Sequence, residues 1–120
     1  MTGLTPADAH VAEVHDFFTG IESISYEDLG FADRFEADKL VEAAEVTSIS
    51  GSLPVNPSGG LKSKGHPPGA TEIAQCVELF EQLRGLQRGR RSTNCAGSQY
   101  RWPDCGIGVT ILKGPGANGE

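Results

Sequence analysis

Asn56-Pro57-Ser58-Gly59-Gly60-Leu61-Lys62-Ser63-Lys64-Gly65-His66-Pro67-Pro68-Gly69-Ala70-Thr71 is the stretch on which the reading of this chain turns. Such density of glycine and proline does not propagate a helix or a central strand, so a shaped loop is expected. Gly59-Gly60 admits positive φ or the close approach of another group. Gly65-His66-Pro67 fixes a histidine, because the residue before proline is pushed to extended dihedrals. The loop runs into residues 71–84, where Ile73, Cys76, Val77, Phe80 and Leu83 fall at helical spacing. That pattern predicts an amphipathic helix with those five side chains, Cys76 included, on its buried face. Thr71 and Glu72 suit its N-terminus and Gly85 its end. A histidine held at an anion-friendly helix start suits proton transfer or oxyanion stabilisation.

Outward from the loop, Leu53 to Asn56 reads as a short strand, preceded by a polar turn region over Thr47 to Ser52. Residues 34–46 predict a second helix, with Phe35, Leu40, Val41 and Ala44 as a loose apolar stripe. Thr5-Pro6-Ala7-Asp8 has the form of a helix start, and periodicity alone allows one helix over residues 6–18. Beyond Gly85, residues 86–91 form a basic loop. Residues 95–101 and 107–112 predict two antiparallel strands joined through Trp102-Pro103-Asp104. Lys113 to Glu120, rich in glycine, reads as a flexible tail.

A chain of 120 residues holds one small domain with a modest core. With 38% hydrophobic and 22% charged residues it reads as soluble and globular rather than disordered. No apolar run approaches the roughly 20 residues that a membrane helix needs. Neither a basic-plus-apolar leader nor a C-terminal address is visible, so a cytoplasmic location is expected. Three cysteines without framework spacing argue for a reducing compartment, and no Cys/His cluster suggests a metal. The formal charge of −6 hides an asymmetry: residues 1–57 are acidic, whereas residues 58–120 carry the glycine loop and Arg84, Arg88, Arg90 and Arg91. That polarity suits a phosphate-bearing ligand, or is an ordinary solvated surface. Nucleic acid is disfavoured, because the total charge is negative and no aromatics interleave the arginines.

The signature Asn, two residues, Gly-Gly, then Gly-His-Pro and Gly-x-Thr over Asn56 to Thr71 resembles the second signature of the thiolases. Ala70 to Gln75, Gln82 to Gly85, Tyr26 to Gly30 and Leu53 to Asn56 resemble the same family, most closely the sterol-carrier-protein-type thiolases and their acetyl-CoA acetyltransferase-like relatives. The resemblance covers residues 4 to 91 and departs at Lys62, where an aliphatic residue is usual, and at Glu72, where glycine is usual. It implies an α/β fold equivalent to most of a thiolase C-terminal half over residues 1–112: a mixed sheet layered with helices, incomplete at its N-terminus. It also replaces the single helix over residues 6–18 with one turn, a short strand at Val11 to Val14, and a helix from about Phe17 to Leu29 closed by Gly30.

The resemblance further implies a site. His66 matches the histidine that assists a nucleophilic cysteine and contributes to an oxyanion hole. His15, in His15-Asp16-Phe17-Phe18, matches a histidine that holds a catalytic water or the thioester oxygen; the alternative is a surface histidine at a strand end. Phe17 stands where the family has an acid/base cysteine, and phenylalanine cannot transfer a proton. Asn56, Gly59, Gly60 and Gly65 shape the loop against the coenzyme A thioester. Conventional thiolases carry a C-terminal Cys-x-Gly motif and the sterol-carrier type His-Asn followed by glycines, and two cysteines compete for that place: Cys95, in Cys95-Ala96-Gly97, and Cys105, ahead of Gly106-Ile107-Gly108 but without His-Asn. Either can equally be a small packing residue.

The nucleophilic cysteine itself belongs to the N-terminal half in this family, and no cysteine here matches it. The expected function is therefore acyl transfer between acyl-CoA and a cysteine or coenzyme A, as a thiolase-type domain or subunit. Coenzyme A thioester is the substrate, no cofactor is tightly bound, and the partner is an N-terminal half or a second copy. The alternatives are an inactive thiolase-like module that binds acyl-CoA or a thiolase partner, and a truncated product.

Overall fold

The computed structural model describes residues 3–85, 94–101 and 106–114. A 3-10 turn at Pro6–Asp8 opens the chain, followed by strand β1 at Val11–Glu13 and helix α1 at Thr19–Asp28. The carboxylate of Asp8 accepts from both the backbone N–H and the hydroxyl of Thr5, each at 2.7 Å, which closes the turn after one cycle. Turn, strand and helix therefore follow the order that the family resemblance implies, and the single helix over residues 6–18 is not formed.

Helix α2 spans Ala37–Glu42, shorter than the predicted 34–46. Phe35 and Ala44 adopt φ of 65° and 57°, so a left-handed residue interrupts the helix at each end. The predicted strand at Leu53 to Asn56 reduces to one parallel bridge, Ala12 to Val55, outside the named strands. Within the glycine-rich loop a short helix, α3, forms at Gly60–Lys64, where the sequence reading expected no helix. The four residues after Gly60 are ordinary helix formers, and the glycines and prolines only bracket them.

Helix α4 spans Thr71–Arg84, as its periodicity predicts, and Gly85 ends it with a left-handed φ of 67°. Strands β2 (Asn94–Arg101) and β3 (Gly106–Lys113) complete a mixed sheet of order β1-β2-β3. β1 pairs with β2 in parallel, β2 with β3 antiparallel. These are the two strands expected late in the chain. Their connection lies outside the described residues, as do the basic loop over 86–91 and residues 115–120 of the tail; Lys113, expected to open that tail, is instead the last residue of β3.

α4 packs against all three strands. Its buried side chains are Thr71, Gln75, Leu79 and Gln82. The predicted buried stripe faces outward instead: Ile73 is 67% exposed, Val77 50% and Phe80 54%. Cys76, expected in the core, is only partly buried. Leu83 does turn inward, onto a small core of Val11, Leu79 and Leu112. The larger core lies beneath α1 and α2, where Val14, Tyr26, Ala37 and Val46 are joined by Leu29, Phe31, Leu40 and Val55. β1 separates the two cores and is buried on both faces.

Candidate functional site

The chain leaving β1 carries His15 and Asp16, and the glycine-rich loop folds back over it. Asn56 makes that junction. Its backbone N–H donates to the Ala12 carbonyl at 2.8 Å, and its side-chain oxygen accepts the Val14 N–H at 2.8 Å. The side chain thus extends the strand pairing by one residue. A left-handed φ of 51° lets Asn56 do both, a conformation that asparagine tolerates better than most residues. Its amide nitrogen is buried with no hydrogen-bond partner among the described residues.

Asp16 makes the second junction. Its buried carboxylate accepts the Leu61 N–H at 2.6 Å, near the start of α3. Gly60 is required there: at its φ of 68°, a Cβ would stand 2.1 Å from Asp16 Oδ2. In the sequence Asp16 stands out only as part of His15-Asp16-Phe17-Phe18. The signal that could have assigned it is its place beside His15, opposite a Gly-Gly pair.

His66 sits at the far end of α3, partly exposed. Gly65 ahead of it takes φ 87° and ψ 163°, a conformation essentially confined to glycine. Nδ1 of His66 lies 2.7 Å from Thr71 Oγ1, which is also 3.3 Å from the Pro67 carbonyl. A threonine hydroxyl has one proton. With that proton on the Pro67 carbonyl, Nδ1–H of His66 donates to Oγ1, and Nε2 carries the lone pair. Thr71 is thus the first residue of α4 and orients the histidine, rather than capping the helix; Ala70 holds the cap position.

The two histidines meet. The His15 and His66 rings stand edge-to-face with centroids 5.2 Å apart and planes at 84°. His15 is 1% exposed, so the alternative of a surface histidine is overturned: β1 is covered on both faces and the loop closes over its end. Phe17 stacks on the other ring, 5.0 Å from His66 with planes at 22°. The structure therefore gathers His15, His66 and Phe17 at one point, with Asn56, Gly59, Gly60 and Gly65 shaping the backbone around it. Cys95 is placed in β2, opposite Val11 and Leu112 in the ladder. Cys105 lies outside the described residues.

Beside this cluster lies Glu13, which no motif of the sequence marks out. It is 1% exposed. The Ser58 hydroxyl donates to its carboxylate at 3.0 and 3.2 Å, and Lys64 Nζ lies 3.8 Å away. Burial pushes the carboxyl up to about 7, against the opposing pull of Lys64 and Ser58. The loop's other lysine, Lys62, pairs with Glu22 at 3.2 Å. Both lysines near the histidine thus bind acids of the first half of the chain, and the charge asymmetry of the sequence is partly spent inside the fold.

Residues 1–99 match the family described as thiolase C-terminal domain-like. The chain belongs to that family. Acetyl-CoA acetyltransferase of Methanothermobacter thermautotrophicus is 48% identical over 96 residues, covering 80% of this chain and 24% of that protein. Sterol carrier protein 2 of Bos taurus is 51% identical over 90 residues, 75% of this chain and 16% of that protein. Among solved structures, the Ltp2-ChsH2(DUF35) aldolase superposes with a TM-score of 0.78 at 27% identity, over 94% of this chain and 28% of the other. This thiolase-like domain thus spans between 16% and 28% of the length of these relatives. Among the described residues no helix is long and apolar enough to cross a membrane.

Proposed function

We propose that this domain contributes the histidine side of a thiolase-type acyl-transfer site, completed by an N-terminal half that brings the nucleophilic cysteine. The observation that carries the reading is the edge-to-face pair of His15 and His66, with His66 Nδ1 held by Thr71. With Nδ1–H donating to Thr71 Oγ1, Nε2 can take the proton of a cysteine thiol as the thiol sulfur attacks the thioester carbonyl of an acyl-CoA. The C–S bond to coenzyme A then breaks, and the departing thiolate recovers the proton from Nε2. The acyl group passes from the cysteine to coenzyme A, or to the α-carbon of a second acyl-CoA. His15 and the loop amides would stabilise the oxygen on which charge develops. Coenzyme A is the substrate carrier here, not a resident cofactor. The sheet layered with helices would be completed by the same partner half.

A second reading rests on Phe17. Its ring lies flat on His66, where the family has a cysteine able to transfer a proton. A domain with that substitution would bind acyl-CoA or a thiolase partner without turning over. Co-expression with the N-terminal half of a related thiolase, followed by thiolysis of acetoacetyl-CoA, separates the two. The first reading expects no turnover by the chain alone, turnover by the pair, and its loss in His66→Ala. Binding of coenzyme A by the pair with no turnover supports the second. Turnover that survives His66→Ala removes the first.

A further inference from the structure

Glu13, Ser58 and Lys64 form a chain of polar contacts that ties the strand to the loop. Lys64 Nζ donates to Ser58 Oγ, and Ser58 in turn donates to the Glu13 carboxylate. Glu13 stands two residues before His15, while Lys64 stands two residues before His66. The tether therefore joins the two backbones that carry the histidines, one step back from the ring contact. Other features of the loop hold its start, through Asn56, and its centre, through Asp16. This tether reaches the last helical residue of the loop, Lys64.

We propose that Glu13 is a positioning residue: through Ser58 and Lys64 it holds the end of α3, and with it the His66 ring, against His15. The charged groups that face Glu13 are Lys64 of α3, which favours its ionised form, and Glu78 of α4, which opposes it. Burial is the larger influence and places its ionisation close to neutrality. The ionised carboxylate accepts strongly from Ser58 and attracts Lys64; the protonated acid does neither as well. The tether therefore tightens as pH rises through neutrality and slackens below it. Its consequence for acyl transfer rests on the proposed function, but the tether itself does not.

Carbon-13 and nitrogen-15 NMR of the full chain tests this. The Glu13 carboxyl carbon is followed against pH together with the amides of Ser58, Gly59 and Lys64 and the His66 ring C–H. Glu13 is expected to titrate near 7, and the loop amides to share its midpoint. Lys64→Met should move that midpoint up, and Ser58→Ala should uncouple the amides from it, with Ser58→Thr restoring the coupling. Glu13→Gln should remove the inflection from the amides, while His66→Ala leaves the Glu13 midpoint in place. Loop amides that keep a neutral midpoint in Glu13→Gln would follow a histidine instead and overturn the proposal. So would a Glu13 carboxyl that titrates in the ordinary range, or a midpoint indifferent to Lys64→Met. Absence of acyl transfer in the completed pair would leave all these readouts unchanged, so the two failures are distinguishable.

Discussion

The Phe17 ring lies nearly parallel to the imidazole of His66, with centroids 5.0 Å apart. Such a pair contributes about 0.5–1.5 kcal/mol beyond the area it buries. Phe17→Ala is therefore expected to lower stability by roughly 1–2 kcal/mol and to move the His66 ring-proton resonances as the neighbouring ring current disappears. Thermal melts and proton NMR check both. Unchanged ring resonances would mean that the stack does not persist in solution. Phe17→Cys supplies the thiol that the resemblance to sterol-carrier-type thiolases implies at this position and, under the proposed function, should raise turnover of a completed pair above that of the pair with Phe17.

The two histidines differ in what their removal does to the fold. His15 is fully buried between β1 and the loop, whereas His66 is partly exposed and its partner Thr71 keeps a second acceptor at Pro67. His15→Ala should cost about 2–4 kcal/mol, in the range of other large-to-small changes in packed interiors. His66→Ala should cost less, about 1–2 kcal/mol, because it removes the Phe17 stack and the bond to Thr71 but little buried area. Denaturant melts of both variants decide this; equal losses would make His66 a packing residue.

Two glycines of the loop offer a cleaner comparison. Alanine at Gly60 would meet Asp16 Oδ2 at 2.1 Å, whereas alanine at Gly65 meets nothing within 4 Å. Both sites have positive φ, so each substitution carries about 1–3 kcal/mol of backbone strain. Only Gly60→Ala should also displace the carboxylate that holds Leu61. Its melting temperature is expected below that of Gly65→Ala, and in an Asp16→Ala background, where the clashing group is gone, the gap between the two should narrow. Gly65→Val should lose more than Gly65→Ala, since a branched side chain tolerates that backbone less well.

The extent of α4 was legible because its period runs unbroken from Thr71 to a terminating glycine. Its orientation was not. Periodicity reports that Ile73, Val77 and Phe80 share a stripe, but not which stripe meets the sheet. The bond from Thr71 to His66 lies at the first turn of the helix, and the stripe of Thr71, Gln75, Leu79 and Gln82 is the one that faces inward. The truncation of α2 was hidden too, since Phe35 and Ala44 are not residue types that announce a left-handed backbone. β1 is too short for alternation to define, and only the family resemblance placed it. His66 was legible from its Gly-His-Pro frame. Asp16 and Glu13 became visible only once the loop was seen lying across them, because a buried carboxylate looks like any other acid in sequence.

Glu13 also sets a pH dependence of stability. Its folded value of about 7 lies above the ordinary 4.5, so the protonated acid is the form the fold prefers. Its contribution is fully present below about pH 4.5 and is lost as pH rises through 7. The difference corresponds to about 3 kcal/mol. Asp8 and Glu45 are shifted down by their bonds to Thr5 and Ser52, so their contributions fade only in more acid solution. Urea midpoints should therefore fall between pH 5 and pH 8 in the parent chain and stay level in Glu13→Gln. A parent chain with a level profile would mean that the carboxyl is hydrated in solution.

The outward face of α4 gives the last expectation. Ile73, Val77 and Phe80 lie within two turns of one another and are each at least half exposed, with the Arg84 guanidinium 5.4 Å above the Phe80 ring. On β3, Leu112 turns toward α4, so Val109 and Ile111 point to the opposite side of the sheet, where they too are exposed. Two apolar faces left open on so small a domain favour association, and contiguous patches of this kind mark interaction surfaces. Sedimentation of the chain should show mass rising with concentration. Val77→Lys together with Phe80→Lys should abolish that rise with little loss of stability, because neither side chain packs inside the fold. The same pair of substitutions should weaken capture of a thiolase N-terminal half, if that half covers α4. A Val109→Lys, Ile111→Lys pair that removes self-association while the α4 pair leaves it intact would assign the contact to the sheet. A parent chain that stays monomeric at high concentration would show that neither face drives association by itself.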